Sequence, residues 1–301
     1  MRIRILIIVA VLSLTGHSMI AQPGSTGFTF LKLGVGGRAL GMGEACSAVV
    51  DDVSATFYNP AALSLSKSSQ VLLMHKEWML DTRTEFIGAM TSWDAFSLSV
   101  SANATSISDI ELRDVPGPPL TTFAARNTSI GISAAYLIDP HLSLGVTGKF
   151  LYEKILVDAA SGYAFDVGGL YSTPWDIRVA FVLSNLGSVS ELDRQSSKLP
   201  TILRLGGAYE TSLENVDGSL IFSSDVVSFT GEEKTHVHFG AEFNFKRAFA
   251  IRAGYQTGYE SKNFSGGVGV HYGVMFLDYA FVPFKYDLGS THTISFGIEF
   301  E

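Results

Sequence analysis

A chain of 301 residues is long enough for one large domain or two ordinary ones, so length decides little. Only 17% of residues are charged and the formal net charge is −8 with no basic cluster, which argues against nucleic acid as a partner. A mean hydropathy of +0.26 with no apolar run of roughly 20 residues beyond the N-terminus excludes a helical membrane protein. It also sits badly with a soluble one. Strands that place every second residue in lipid resolve the conflict.

Residues 1–21 read as a secretory signal peptide, with Arg2 and Arg4 ahead of an apolar stretch from Ile5 to Leu14 and a cut after Ala21. Export of this kind is the first step to an outer membrane. Residues 22–301 then form the expected mature chain, divided into an N-terminal segment over 22–68 and a wall of strands over 69–301. Glycines crowd the N-terminal segment at Gly34, Gly36, Gly37, Gly41 and Gly43, and it closes on Asn59-Pro60-Ala61-Ala62. The run Gly34 to Ala39 loosely matches a dinucleotide fingerprint, but that motif needs a strand before it and a helix after it. No strand–helix alternation follows. The glycines are read instead as positions of positive φ or of close approach to a wall. Cys46, the only cysteine, reads as a small buried apolar side chain.

From Ser69 onward the period is two. Val237, Phe239, Ala241, Phe243 and Phe245 alternate with His236, His238, Gly240, Glu242 and Asn244, and Ile294, Phe296, Ile298 and Phe300 alternate with Thr293, Ser295, Gly297 and Glu299. About fourteen such runs occur, near 69–78, 84–93, 95–105, 125–138, 141–155, 161–173, 176–186, 200–211, 218–229, 234–246, 248–258, 262–272, 274–284 and 291–300. Connections after even-numbered runs are mostly tight (Trp93-Asp94, Asp139-Pro140, Tyr272-Gly273) and those after odd-numbered runs are longer, notably Ser106 to Asn127. Short periplasmic turns and long external loops are the signature of an outer-membrane barrel. Trp93, Tyr136, Tyr171, Trp175, Tyr209 and Tyr272 fall at one set of strand ends and Trp78, Tyr152, Tyr163 and Tyr255 at the other, as two interfacial belts require. The fold class expected is thus all-β, a transmembrane antiparallel barrel of about fourteen strands.

Charged side chains fall on the polar faces of these strands: Lys149, Asp166, Arg178, Arg204, Asp225, Glu242, Arg252, Asp278 and Glu299. Facing lipid near the midplane, an Arg or Lys costs roughly 2–4 kcal/mol, so the set is expected to face the interior and pair there. His236 and His238 share that face, but two ligands without a third make a weak metal site. No nucleophile elbow is present, and Cys46 has no histidine nearby in sequence. The reading is of a non-enzyme without metal or cofactor.

The stretch Phe30-Leu-Lys-Leu-Gly34 through Asn59-Pro60-Ala-Ala-Leu63, with Arg38 and Asp52 inside it, resembles the N-terminal signature of the PorV/PorQ outer-membrane family. That family is similar in turn to FadL-type fatty-acid channels, whose N-terminal region carries an acid-Ser-to-Asn-Pro-Ala pattern, here Asp52, Ser54 and Asn59-Pro60-Ala61. Weaker matches follow at Ala164 to Gly168, Ser184 to Gly187, Leu199 to Gly206 and Leu277 to Pro283, whereas a C-terminal Glu301 after Phe300 departs from the usual terminal aromatic. The resemblance implies that the glycine-rich segment is a hatch or plug built on Gly34, Gly36, Gly37, Arg38, Gly41, Gly43, Asp52, Asn59 and Pro60. It also implies a role in type IX secretion, holding secreted protein cargo or secretion-system subunits at the cell surface. The alternative is a FadL-like channel for long-chain fatty acids or other hydrophobic small molecules. The charged inner face weighs towards cargo, because an acyl chain would have to desolvate it.

Overall fold

In a computed structural model, residues 26–78, 81–192 and 197–300 are described. Fourteen strands follow one another: β1 (Ser69–Glu77), β2 (Thr82–Trp93), β3 (Phe96–Leu112), β4 (Thr121–Asp139), β5 (Leu142–Ile155), β6 (Asp158–Ser172) and β7 (Ile177–Val189), then β8 (Ile202–Leu213), β9 (Gly218–Phe229), β10 (Thr235–Phe245), β11 (Phe249–Gln256), β12 (Phe264–Tyr272), β13 (Met275–Pro283) and β14 (Ser290–Phe300). Each pairs antiparallel with its sequence neighbours, and β1 pairs with β14 from Ser69↔Phe300 to Glu77↔His292, closing the barrel. Closure leaves no strand edge to pair with another chain. The expected all-β barrel is what forms.

The two-residue period fixes the faces. Along β11, Phe249, Ile251 and Tyr255 point outward while Ala250, Arg252 and Gln256 are buried inside. Outward positions elsewhere carry Leu73, Ile87, Ile132, Phe165, Phe181, Phe222, Phe239 and Phe296, an apolar belt too extensive for a surface in water. Trp93, Tyr136, Tyr171, Trp175, Tyr209 and Tyr272 all stand exposed at the ends joined by short turns. That end is periplasmic in barrels of this kind, and the opposite end is external.

Two expectations about the loops need correction. Most of the stretch from Ser106 to Asn127 is strand rather than loop: β3 and β4 stay paired to Leu112↔Thr121, past Thr82↔Ile107, where β2 stops. Asp109, at φ 56°, makes a bulge between the pairs Ile107↔Ala125 and Ile110↔Phe123, and that bulge hides the alternation in the sequence. The β5–β6 connection, Leu156-Val157, is also as tight as any periplasmic turn although it lies at the external end.

The interior segment as candidate functional site

Residues 26–68 run through the barrel from its external end to its periplasmic end before turning up into β1. At the external end Thr26 bridges Lys198 and Lys32 meets Glu232 at 2.8 Å. Phe28, Phe30 and Leu31 are buried against Leu151, Ala160, Ala164 and Leu199 of the wall and its loop. Next comes a single helical turn, Gly37–Gly41, then a second, Ala55–Tyr58, and a 3₁₀ turn, Pro60–Leu65. Asn59 starts the last of these by accepting the Ala61 amide at 3.0 Å, with Pro60 supplying the fixed φ that a first position favours. Tyr58 ties the two legs together, since its hydroxyl accepts from Val35 N and donates to Val35 O.

Small residues let the segment seat. A Cβ at Gly145 would stand inside contact distance of the Pro60–Ala61 peptide, and one at Gly254 would run into the backbone of Gly43. Gly43 itself holds φ 64° where it passes the wall, and Gly36 holds φ 84° at the start of the first helical turn. These two positions are left-handed and favour glycine. Gly41 packs on Gly267, backbone to backbone, and Gly37 on Asp278. Gly34 hands its carbonyl to Lys76 Nζ at 2.7 Å.

Polar ties complete the attachment. Arg38 Nε and Nη2 donate to the two Glu242 oxygens at 2.8 and 2.9 Å, while its Nη1 bonds Asp51. Glu242 also receives Arg252, which bonds Asp278 in turn. The result is a ladder of alternating charge, Asp51–Arg38–Glu242–Arg252–Asp278, shared between segment and wall. Asp225 receives the amides of Cys46 and Ser47 at 3.2 and 3.1 Å and the Ser47 hydroxyl at 2.8 Å. Arg204 reaches Asp225 at 3.4 Å and the Glu44 carbonyl at 3.1 Å. The Glu44 carboxylate takes Lys262 at 3.0 Å. Burial opposes its charge, but Lys262, His238 and Arg204 together hold its pKa down at about 2. Asp52 goes the other way: burial and the neighbouring Asp51 raise its pKa even though it accepts the Ser54 amide.

Of the residues singled out from sequence, Arg38, Arg204, Asp225, Glu242 and Arg252 come together at contacts between segment and wall. Lys149 and Asp166 pair with each other at 2.6 Å and hold the left-handed Asn185 of β7. Asp52 stays within its own loop. His236 and His238 do not converge on a metal: His236 stacks on Tyr259 with ring centroids 4.0 Å apart and bonds Glu232, and among the described residues no group of three ligands forms. Sequence reasoning missed Glu44, Tyr58 and Lys262. Nothing in the local pattern of Glu44 or Tyr58 marks them, because their partners lie on distant strands.

At the periplasmic mouth a cavity of about 600 Å³ is lined by Arg38, Asp51, Arg178, Glu210, Arg247 and Glu299, among others. Within the barrel, two voids beside the segment measure about 50 and 20 Å³.

Compared with solved structures, the fold is that of FadL-type channels of the outer membrane. The CymD monoaromatic hydrocarbon channel superposes with a TM-score of 0.63 at 16% identity, over 88% of this chain and 96% of its own. The Pseudomonas putida toluene transporter TodX gives 0.60 at 10% identity, over 89% and 99%. A Pseudomonas aeruginosa FadL homologue gives 0.53 at 11%, over 93% and 99%. Identities this low establish fold and nothing more. In sequence, residues 8–158 match the model of an uncharacterised protein family, UPF0164, and the chain belongs to that family. No curated protein matches it. The PorV/PorQ resemblance finds no support in these comparisons, nor does the secretion role it implied.

Proposed function

We propose that this protein is an outer-membrane channel for a hydrophobic small molecule, closed by residues 26–68 acting as a plug. The observation that carries the reading is the apolar cluster in the external half, where the plug's own Phe28, Phe30 and Leu31 fill a site made by Leu151, Ala160, Ala164 and Leu199. Apolar sites with few polar groups are what hydrophobic ligands occupy, and here the chain supplies the occupant itself. Apart from its peptide link into β1, the plug is held by ion pairs and close-packed glycines, so it can shift without unfolding the wall. Two of the structures similar to it, a monoaromatic hydrocarbon channel and a toluene transporter, agree with this chemistry. The charged ladder then belongs to the closed state and need not be crossed by the ligand as it stands.

The test is uptake of a radiolabelled hydrocarbon or long-chain fatty acid by cells with and without the gene, with surface-attached secreted proteins measured in parallel. Impaired uptake with normal secretion is expected. Normal uptake with depleted surface proteins would replace this reading by the secretion role.

A further inference from the structure

A small void at mid-height, about 20 Å³, lies between the plug and the β2–β5 wall. From the plug it is lined by Leu31, Thr56 and Phe57, and from the wall by Phe86, Asn103 and Ser129, among others. Asn103 is 6% exposed, and neither atom of its amide meets a partner among the described residues. A buried amide with donor and acceptor both unmet costs free energy, and native proteins rarely keep one without a use. The hydroxyls of Ser101 and Ser129 stand on the same inner face. Lys149 also lines the void, but its charge is already matched by Asp166 at 2.6 Å. The polar end of this site is therefore neutral and offers the unmet amide NH2 as donor and the unmet amide oxygen as acceptor. Its apolar end is Leu31, Phe57 and Phe86.

We infer that Asn103 is the polar anchor of the transported molecule, whose class is an apolar body carrying one uncharged hydrogen-bonding group, an alcohol or a carbonyl. This rests on the plug reading above, because the void accepts such a molecule only once Leu31 and its neighbours withdraw. A plain hydrocarbon would leave the amide unmet, and a carboxylate would bring a charge to a lining whose cation, Lys149, is already paired with Asp166.

The test is equilibrium binding of three tritiated ligands of equal chain length, an alkane, a primary alcohol and a carboxylate, to the detergent-solubilised full chain. Asn103→Leu and Asn103→Gln are compared with wild type, and heat-modifiable migration on gels confirms that each variant has folded. The wild type is expected to bind the alcohol about tenfold more tightly than the alkane, the worth of one hydrogen bond to a buried group. Asn103→Leu should abolish that difference while leaving alkane binding unchanged, and Asn103→Gln should retain part of it. Equal binding of alcohol and alkane by the wild type, untouched by Asn103→Leu, would overturn the anchor and leave the channel reading standing, with a water molecule as the partner of Asn103. Preference for the carboxylate would also overturn it. No binding of any of the three would remove both readings.

Discussion

Replacing Arg38 by Met tests whether the plug is held separately from the wall. Arg38 makes a bidentate pair with the buried Glu242 and a third bond to Asp51. Breaking a buried ion pair costs about 3–5 kcal/mol when one charge is left alone. Here Glu242 keeps Arg252 and Asn244 after the change, and Asp51 is half-exposed, so about 2–3 kcal/mol is the expected loss. The loss falls on the plug, since the strand ladders do not involve Arg38. Cys46 supplies the readout. It is the only cysteine in the chain and is 2% exposed, under the wall residue Asp225 that binds its amide. Burial also pushes its thiol pKa well above the ordinary value, so a thiol reagent reacts only when the plug opens. A maleimide should label Arg38→Met about 30- to 150-fold faster than wild type at pH 7.5, the rate equivalent of that free energy. Heat-modifiable migration of the barrel should be unchanged. Equal labelling rates would show that the ladder does not hold the plug, and loss of the barrel together with the plug would show that the two are one folding unit.

Gly145→Val should expose Cys46 to labelling in a barrel that still forms, because the added carbons meet the Pro60–Ala61 backbone. Gly131→Ala, whose Cβ finds only ordinary contacts at 3.5 Å or more, should label like wild type. Phe239→Lys places a cation on the lipid face and should cost roughly 2–4 kcal/mol of assembly in a refolding titration, while a lysine at the exposed loop position Val115 should cost little. Glu44 should contribute stability above pH 4.5, its unperturbed value, and lose it as pH falls towards about 2. In denaturant melts the gap between wild type and Glu44→Gln should therefore be full at pH 7 and reduced to roughly a quarter at pH 2.5; a gap independent of pH would rule out the Lys262 pair as its source.

The wall was legible because a single physical rule, apolar out and polar in, repeats at every second residue. Val237 to Phe245 and Thr293 to Phe300 read correctly without any knowledge of their partners. The rule fails where β3 and β4 leave the membrane: at Ser106 to Leu112 both faces meet water and Asp109 breaks the register, so a strand reads as a loop. The inward charges could be found by exclusion from lipid, but their pairing could not. Arg38 and Glu242 are 204 residues apart, and only the folded barrel brings the Arg38 side chain, on a turn packed against β11–β14, within reach of β10. Glu44 and Tyr58 look like ordinary residues of a small-residue stretch until Lys262 and Val35 are placed against them. The secretion reading rests on the likeness of the glycine-rich block and weaker strand matches, with the charged inner face weighing towards cargo. Glycines of that kind answer a need for close approach to a barrel wall, and that need says nothing of a cargo.

The claim that passage requires the plug to move has a direct test. Thr56 on the plug and Ser101 on β3 bring their hydroxyl oxygens within 3.4 Å, so cysteines at both positions, with Cys46→Ala to remove the native thiol, place two sulfurs within reach of a disulfide. Flux of a labelled hydrophobic alcohol into liposomes carrying this variant should be blocked when the pair is oxidised and restored on reduction, with Thr56→Cys alone insensitive to either treatment. Equal flux in the oxidised and reduced states would contradict a moving plug and, with it, the channel as proposed.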